Sequence, residues 1–505
     1  GKFNPREELN ATLASFFAPF VKEAETEHPQ CEFIARYHWL KHELGFDSKR
    51  LPEYECPEFN DWLAEMNPEA ATLIFPTAYL NNPASMFGHT LLRIDSKTWD
   101  EQTRLLDFTV NYAADTQEEE GLLFALKGLF GGYEGSFSVA PYYVQVKRYG
   151  DIENRDIWEY HLTLSNEEVH RMLMHAWELK SARLDYFFLD ENCSYQLLSL
   201  LESARPSLRL LDDFDLWAVP ADTVQAVADI SGLISSTTFR PSRRTVLEER
   251  IKQIEPDLQS VAKCIGDDRC PIDTVSRKEI APLDQAKVLE LAMDYVGYQH
   301  AAEKEDTAEN DPRLTQILTA RSTLDIPPQT PKINQPPKRP DQSHRSGRIE
   351  ISYGYENDQN IFQLNLRPVL HDLADPPGGY IKGAQLEFLD AAGRYYIEND
   401  KIVLEYIDLV EIVSIPTRNR FIKPWSWKAT AGLKRLQFDD DRPITGHGNF
   451  GLGVSYDFWQ AATFFCFVET MAVISDRFDE MLALGAGPSG GVIFDQTDNA
   501  RMVLN

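Results

Sequence analysis

Cys193 lies in the run LDYFFLDENCSYQLL, residues 184–198. The aromatic stretch brings the chain into a core, and Asp190, Glu191 and Asn192 supply helix-capping chemistry. A helix is predicted from near Asn192 to Pro206, with Cys193 in its first turn. The N–H groups and partial positive charge of a helix start favour thiolate over thiol. They also suit a developing oxyanion. Cysteine in that setting can act as a nucleophile, although a buried cysteine packing as a small hydrophobe fits the same pattern.

A thiolate chemistry needs a base. In NNPASMFGHTLLRID, residues 81–95, a turn-rich loop leads through Gly88 to His89 at the lip of an apolar strand. Histidine there can serve as general base or as a structural residue. His161, His170 and His175 in the same half lack this placement. A third group should orient the imidazole. Asn111 and Asp107 lie on the next predicted strand, and Asn111 is the choice. Ser85, Tyr112, Tyr133 and Asn192 are expected to line the site. The glycine-rich segment 128–135 reads as a loop, a lid or a wide turn. A histidine-first, cysteine-later order suits a circular permutant of a papain-like enzyme, because such a site is defined by geometry.

These residues need a scaffold. Residues 1–64 read as helices, with apolar residues at helical spacing in CEFIARYHWLKHEL. Strands are predicted at 71–75, 89–95, 105–112, 142–149 and 156–164. Ser165 followed by Glu168 is a capping-box pattern that opens a helix. Residues 207–300 read as mainly helical. Residues 301–345 combine a charged run with prolines, a composition predicted to stay extended without burying a core. From residue 346 the texture becomes β: GRIEISYGYE, FQLNLRP, SWKATAGL and FGLGVSYDF alternate with period two. That alternation suits an outer-membrane-type antiparallel barrel, and also a soluble sandwich or open sheet. The expected domains are therefore 1–64, 65–240, 241–300, 301–345 and 346–505, the last an incomplete or complete barrel.

Composition narrows the function. With 79 acidic and 50 basic residues the chain carries a net charge of −29, which excludes a nucleic-acid footprint. It also disfavours loose docking on anionic lipid. No run approaches the apolar length of a membrane helix. The chain opens at Gly1 with no signal-peptide pattern, as a processed or trimmed chain would. Cys31 with Cys56, and Cys264 with Cys270, could form disulfides suited to an oxidising compartment, or all four could stay reduced. No zinc site and no cofactor are expected from the spacing.

Five segments in order, SMFGHTLLRID, VNYAAD, KGLFGGYEGSF with PYY, NRDIWEYHL and DENCSYQLL, resemble the Lnb N-terminal periplasmic domain family. The resemblance covers about residues 65–240. It implies a fold similar to the permuted NlpC-type papain-like group, which includes lecithin:retinol acyltransferase. It implies His89 and Cys193 as catalytic, with an Asn-Cys pair at a helix start. For the family's namesake, the lipoprotein N-acyltransferase of Bacteroides, it implies a thioester made from a phospholipid and discharged onto an amine, the N-terminal cysteine of a lipoprotein. The setting implied is the periplasm or outer membrane of a Gram-negative bacterium; the β-rich C-terminal domain lies outside the shared segment, and its strand pattern is what is expected to meet the membrane. A hydrolase of the same site, acting on cell-wall peptide or lipid amide, and a degenerate non-catalytic scaffold beside a barrel are the competing expectations.

Overall fold

A computed structural model describes residues 4–19, 27–80, 85–97, 103–116, 127–129, 131–277, 280–302, 311–356, 358–438, 441–458, 462–497 and 499–504. Residues 81–84 of the turn-rich loop, 130 of the glycine-rich segment and 303–310 of the charged run lie outside the described residues. The chain divides into two compact units. The first holds residues 1–76, 89–150 and 156–240; the second holds 77–88, 151–155 and 241–505.

The first unit opens with helices α1 (Pro5–Ser15), α2 (Pro29–Glu32), α3 (Ile34–Leu44) and α4 (Pro57–Met66). The Cys31–Cys56 disulfide joins α2 to the residue that precedes α4. An antiparallel sheet follows. Its strands are β1 (Pro68–Pro76), β2 (Leu91–Ser96), β3 (Phe108–Ala114), β4 (Tyr133–Pro141), β5 (Ile157–Leu162), β6 (Leu184–Tyr186) and β7 (Ile234–Arg240). They lie in the order β6-β4-β3-β2-β1-β5-β7. Between them come α5 (Tyr142–Val146), α6 (Asn166–Glu178), α7 (Cys193–Ala204) and α8 (Pro220–Asp229). The capping box forms as the sequence indicates: Ser165 Oγ accepts from the Glu168 N–H while the Glu168 carboxylate accepts from the Ser165 N–H.

Residues 142–149 are not the expected strand. They form α5 and a π-type turn over Lys147–Ile152. Their buried positions, Tyr142, Gln145 and Tyr149, fall at helical spacing. Residues 104–106 are a 3₁₀ turn, and the third strand starts only at Phe108. In the stretch read as helical, Ile234–Arg240 is instead an edge strand built from a Ser-Ser-Thr-Thr run. Tyr133–Gly135, read as loop, already belong to β4.

One buried ionic cluster ties three strands together. The Glu159 carboxylate on β5 accepts from Arg93 at 2.7 Å, Arg104 at 3.2 Å, Arg240 at 3.0 Å and the Tyr142 hydroxyl at 2.9 Å. Arg93 also reaches Asp95 at 2.6 Å. Glu159 and Arg93 are fully buried, so each charge depends on the others.

The second unit contains α9 (Arg243–Lys252), α10 (Pro256–Gly266), α11 (Thr274–Arg277), α12 (Pro282–Ala302) and α13 (Pro312–Ser322). The Cys264–Cys270 disulfide closes the end of α10. The stretch 301–345 is a linker only in part. Ile317 of α13 is fully buried in a core with Leu247, Ile265 and Leu291. The proline-rich remainder, from about residue 325, stays without helix or strand up to a 3₁₀ turn at Pro340–Gln342.

Strands β8 (Arg348–Glu356), β9 (Gln359–Arg367), β10 (Val369–His371), β11 (Ala384–Tyr396), β12 (Lys401–Ser414), β13 (Ser426–Arg435), β14 (Ile444–Phe458), β15 (Ala462–Ile474), β16 (Leu482–Thr497) and β17 (Ala500–Leu504) make a second antiparallel sheet. It runs from β17 through β16, β15, β14, β13, β12, β11 and β9 to β8, with β10 paired to β11. The expected closed barrel is not observed: among the described residues β8 and β17 are edges. Period-two alternation reports two unlike faces and says nothing of closure. Those faces are distributed in an unusual way. Ile349, Ile351, Phe450, Leu452, Val468 and Leu484 are exposed, whereas Arg367 with Glu387 and Lys428 with Glu469 pair on the sheltered side.

The Glu159 cluster makes a specific prediction. Glu159→Gln strands arginine charges in the core and is expected to cost about 3–5 kcal/mol in denaturant unfolding. Burial pushes the Glu159 pKa up, but Arg93 and then Arg240 pull it down further, to about 2 against an ordinary 4.5. A folded-state value below the unfolded one gives stability that is present above pH 4.5 and lost as pH falls toward 2. Thermal melts should show that acid-side loss in the native chain and a much smaller one in Glu159→Gln; equal losses would refute the assignment.

Candidate active site

The site in the first unit is built around the start of α7. Asn192 caps it. Its Oδ1 accepts from the N–H of Ser194 at 3.0 Å, the N–H of Tyr195 at 3.3 Å and the Ser194 hydroxyl at 2.7 Å. Its Nδ2 donates to the carbonyls of Phe188 at 3.1 Å and Ala218 at 2.5 Å. Leu197, Leu198, Leu200 and Leu201 bury one side of the helix, which packs on β2 and β3. Cys193 therefore stands at a helix start locked from both sides, and it is only 2% exposed.

Glycines admit the aromatic run that leads into α7. A Cβ on Gly128 would sit 2.2 Å from the Phe188 ring, and one on Gly131, at φ +76°, would sit 2.3 Å from Phe187. The Phe188 N–H donates to the Gly128 carbonyl at 2.8 Å. A side chain at either glycine would push these rings out of place just before the start of α7.

His89 enters from the other end. Its N–H donates to the Pro76 carbonyl at the end of β1, at 3.3 Å, and its ring lies 5.5 Å from Tyr149. The ring Nε2 and Asn111 Oδ1 are 2.7 Å apart, both residues being buried. An amide oxygen only accepts, so Nε2 carries the proton and Nδ1 is the basic nitrogen. Of the two orienting candidates, Asn111 meets the imidazole; Asp107 lies just before β3, its pKa raised by burial.

Tyr112, the neighbour of Asn111 on β3, joins the Cys193 group. Tyr112 stacks on Tyr186 at 5.6 Å. The Tyr186 hydroxyl accepts from the Cys193 N–H at 3.4 Å and is hydrogen-bonded to the Cys193 side chain as well. Burial drives both phenols far above their ordinary pKa; Glu191, Asp185 and Cys193 add to it for Tyr112, and Cys193 adds to it for Tyr186. Both stay protonated as donors. The Tyr112 hydroxyl is buried with no hydrogen-bond partner among the described residues. Tyr133 pairs with Tyr186 across β4 and β6 and stacks on Phe188 at 6.5 Å.

One expectation changes here. The backbone N–H groups at the helix start are already engaged, Cys193 by Tyr186 and Ser194 and Tyr195 by Asn192, so they do not form the expected oxyanion hole as they stand. Ser85 is buried, and its segment, residues 77–88, groups with the second unit.

Residues 58–229 match the family model described as Lnb N-terminal periplasmic domain. Over those residues the chain is similar to that domain. The match points to a periplasmic location and includes His89, Asn111 and Cys193. Models of three domains of unknown function cover residues 1–43 (DUF7843), 237–333 (DUF7842) and 337–505 (DUF7840). No curated protein matches the chain, and no solved structure does.

Tyr186 is the residue of the Lnb-type domain that sequence reading missed. It looked like one of several aromatics filling a core. The available signal was its parity in β6, where Asp185 is exposed and Tyr186 is buried. A phenol donating to sulfur stabilises thiolate, so Tyr186→Phe should raise the Cys193 pKa. A hydrogen bond to a charged group is worth about 1.5–3 kcal/mol, or about 1–2 pH units. The pH profile of Cys193 alkylation should move up by that amount; an unchanged profile would assign Tyr186 to packing alone.

Proposed function

We propose that the Lnb-type domain is a cysteine acyltransferase that moves a fatty acyl group from a phospholipid to an amine through a Cys193 thioester. The observation that carries this reading is the Tyr186–Cys193 arrangement: a cysteine at a capped helix start, hydrogen-bonded by a phenol that favours its thiolate. His89, held by Asn111 in the tautomer with a basic Nδ1, supports it as the proton carrier. A permuted papain-like layout is the fold reading that accompanies it.

The steps follow from these groups. His89 takes the thiol proton and the sulfur attacks the ester carbonyl carbon. The S–C bond forms, the C–O bond breaks, and the lysophospholipid oxygen leaves with the proton from His89. The amine nitrogen then attacks the thioester. The N–C bond forms, the C–S bond breaks, and the amine proton returns through His89 to the sulfur. Tyr112 is the donor assigned to the carbonyl oxygen in both tetrahedral states, because its hydroxyl has no other partner among the described residues.

A phospholipid donor needs contact with a membrane, and the second unit supports this. Its sheet turns apolar side chains outward, with Ile351 75% and Leu484 77% exposed, and keeps ion pairs on the sheltered face. That polarity is the reverse of a water-soluble sheet and is the pattern of a lipid-facing one. We assign it to the outer membrane. Two disulfides fit the oxidising periplasm. A lipoprotein N-terminus is the acceptor the reading favours, with another amine or water as the alternatives.

A second reading has its own observation. Cys193 is buried, which suits a scaffold that has lost catalysis. Turnover separates the two. With a phospholipid bearing a fluorescent acyl chain and an N-terminal cysteine diacyl-peptide, the native chain should release lysophospholipid and N-acylate the peptide. Cys193→Ala should do neither, and Tyr112→Phe should lose roughly 10²-fold in rate. Free fatty acid in place of acylated peptide would make the enzyme a hydrolase. No product, together with a Cys193 thiol inert to small alkylating reagents, would leave the scaffold.

A further inference from the structure

Two imidazoles and a carboxylate converge in the second unit, outside the chemistry assigned above. His344 precedes β8, His371 ends β10, and Asp375 follows four residues later. His344 Nε2 lies 2.8 Å from His371 Nδ1 and 3.8 Å from Asp375 Oδ2, and His371 Nδ1 lies 4.0 Å from that oxygen. A circle through a triangle with sides of 2.8, 3.8 and 4.0 Å has a radius of about 2.1 Å. That is the bond length zinc makes to imidazole nitrogen and carboxylate oxygen.

The surroundings orient each donor. His344 Nδ1 is 2.8 Å from the Arg345 carbonyl, which only accepts, so Nδ1 carries the proton and the Nε2 lone pair points at the cluster. Tyr380 stacks on His344 at 4.6 Å and on His371 at 4.3 Å, and its hydroxyl donates to the His344 carbonyl at 2.8 Å. His371 is only 2% exposed. Its Nε2 is buried without a partner among the described residues. Asp375 is held ionised by Arg348 at 2.9 Å on Oδ1 and Arg367 at 2.6 Å on Oδ2.

We propose that His344, His371 and Asp375 form a binding site for a divalent transition-metal ion, with zinc the best match. Two imidazoles and one carboxylate select a borderline ion over magnesium or calcium, which prefer all-oxygen sets. Three protein ligands leave a further coordination position open for water or a ligand. Arg367 competes for Oδ2, so the site binds less tightly than an unopposed triad. The site stands apart from the Cys193 chemistry and does not rest on it.

Cobalt(II) substitutes for zinc and reports its own geometry. The purified full chain, stripped with a chelator, is titrated with cobalt(II) and then zinc(II). The expected result is one equivalent bound with a visible absorption band typical of low coordination number. No sulfur-to-cobalt charge-transfer band should appear, which excludes Cys193 and Cys466. Zinc should displace the cobalt and raise the melting temperature. His344→Ala, at a partly exposed position, should weaken binding at least tenfold with an unchanged far-UV spectrum, and Asp375→Asn should do likewise. His447→Ala, elsewhere on the sheet, should bind as the native chain does. No saturable cobalt band in the native chain, or binding unchanged in His344→Ala, would overturn the site and leave a hydrogen-bonded His–His–Asp cluster.

Discussion

The amide of Asn192 makes five hydrogen bonds at the start of α7, and the placement of Cys193 depends on them. Its oxygen satisfies Ser194 and Tyr195, and its nitrogen fastens the helix start to the carbonyls of Phe188 and Ala218. One planar group thereby fixes where the helix begins, in which direction it points and which residue heads it. Aspartate could cap the helix but could not donate to the two carbonyls; serine could not reach them. With the helix start held, Cys193 meets the Tyr186 hydroxyl through both its N–H and its sulfur. The helix gains a cap and the sulfur gains a donor.

The other half of the site depends on β3. Asn111 turns to His89, and Tyr112 turns to Tyr186. Two consecutive residues of one strand therefore meet His89 and the Tyr186–Cys193 pair. The Glu159 cluster holds the same sheet from within, through Arg93 of β2, Arg240 of β7 and Tyr142 of α5. The segments that make the chain resemble the Lnb family thus meet as hydrogen-bonded partners: LLRID with IWEYHL, and VNYAAD with GHT.

Local chemistry made part of this legible in the sequence. Ser165 and Glu168 are a capping box whatever surrounds them, and Asn192 before Cys193 marks a helix start by the same logic. Strands with apolar runs, such as β1 and β2, were equally readable. The misreadings occur where two periods fit one segment. In 142–149 the aromatic spacing serves a strand or a helix, and burial of Tyr142, Gln145 and Tyr149 chose the helix. Ile317 was hidden among prolines and charges, although a single apolar stripe suffices to dock α13. Alternation in the C-terminal strands showed two faces but could not say which one water sees. Long-range pairings were out of reach altogether: nothing near Tyr186 announces that it meets a sulfur seven residues on, and nothing near His344 announces His371.

Weighing the intact chain after incubation with a defined phospholipid tests whether Cys193 carries an acyl group. The expected result is a mass increase equal to one acyl group less a hydrogen, removed by hydroxylamine, absent from Cys193→Ala and strongly reduced in His89→Ala. An unchanged mass across phospholipids of different headgroup and chain length, or an adduct that persists in Cys193→Ala, would contradict it.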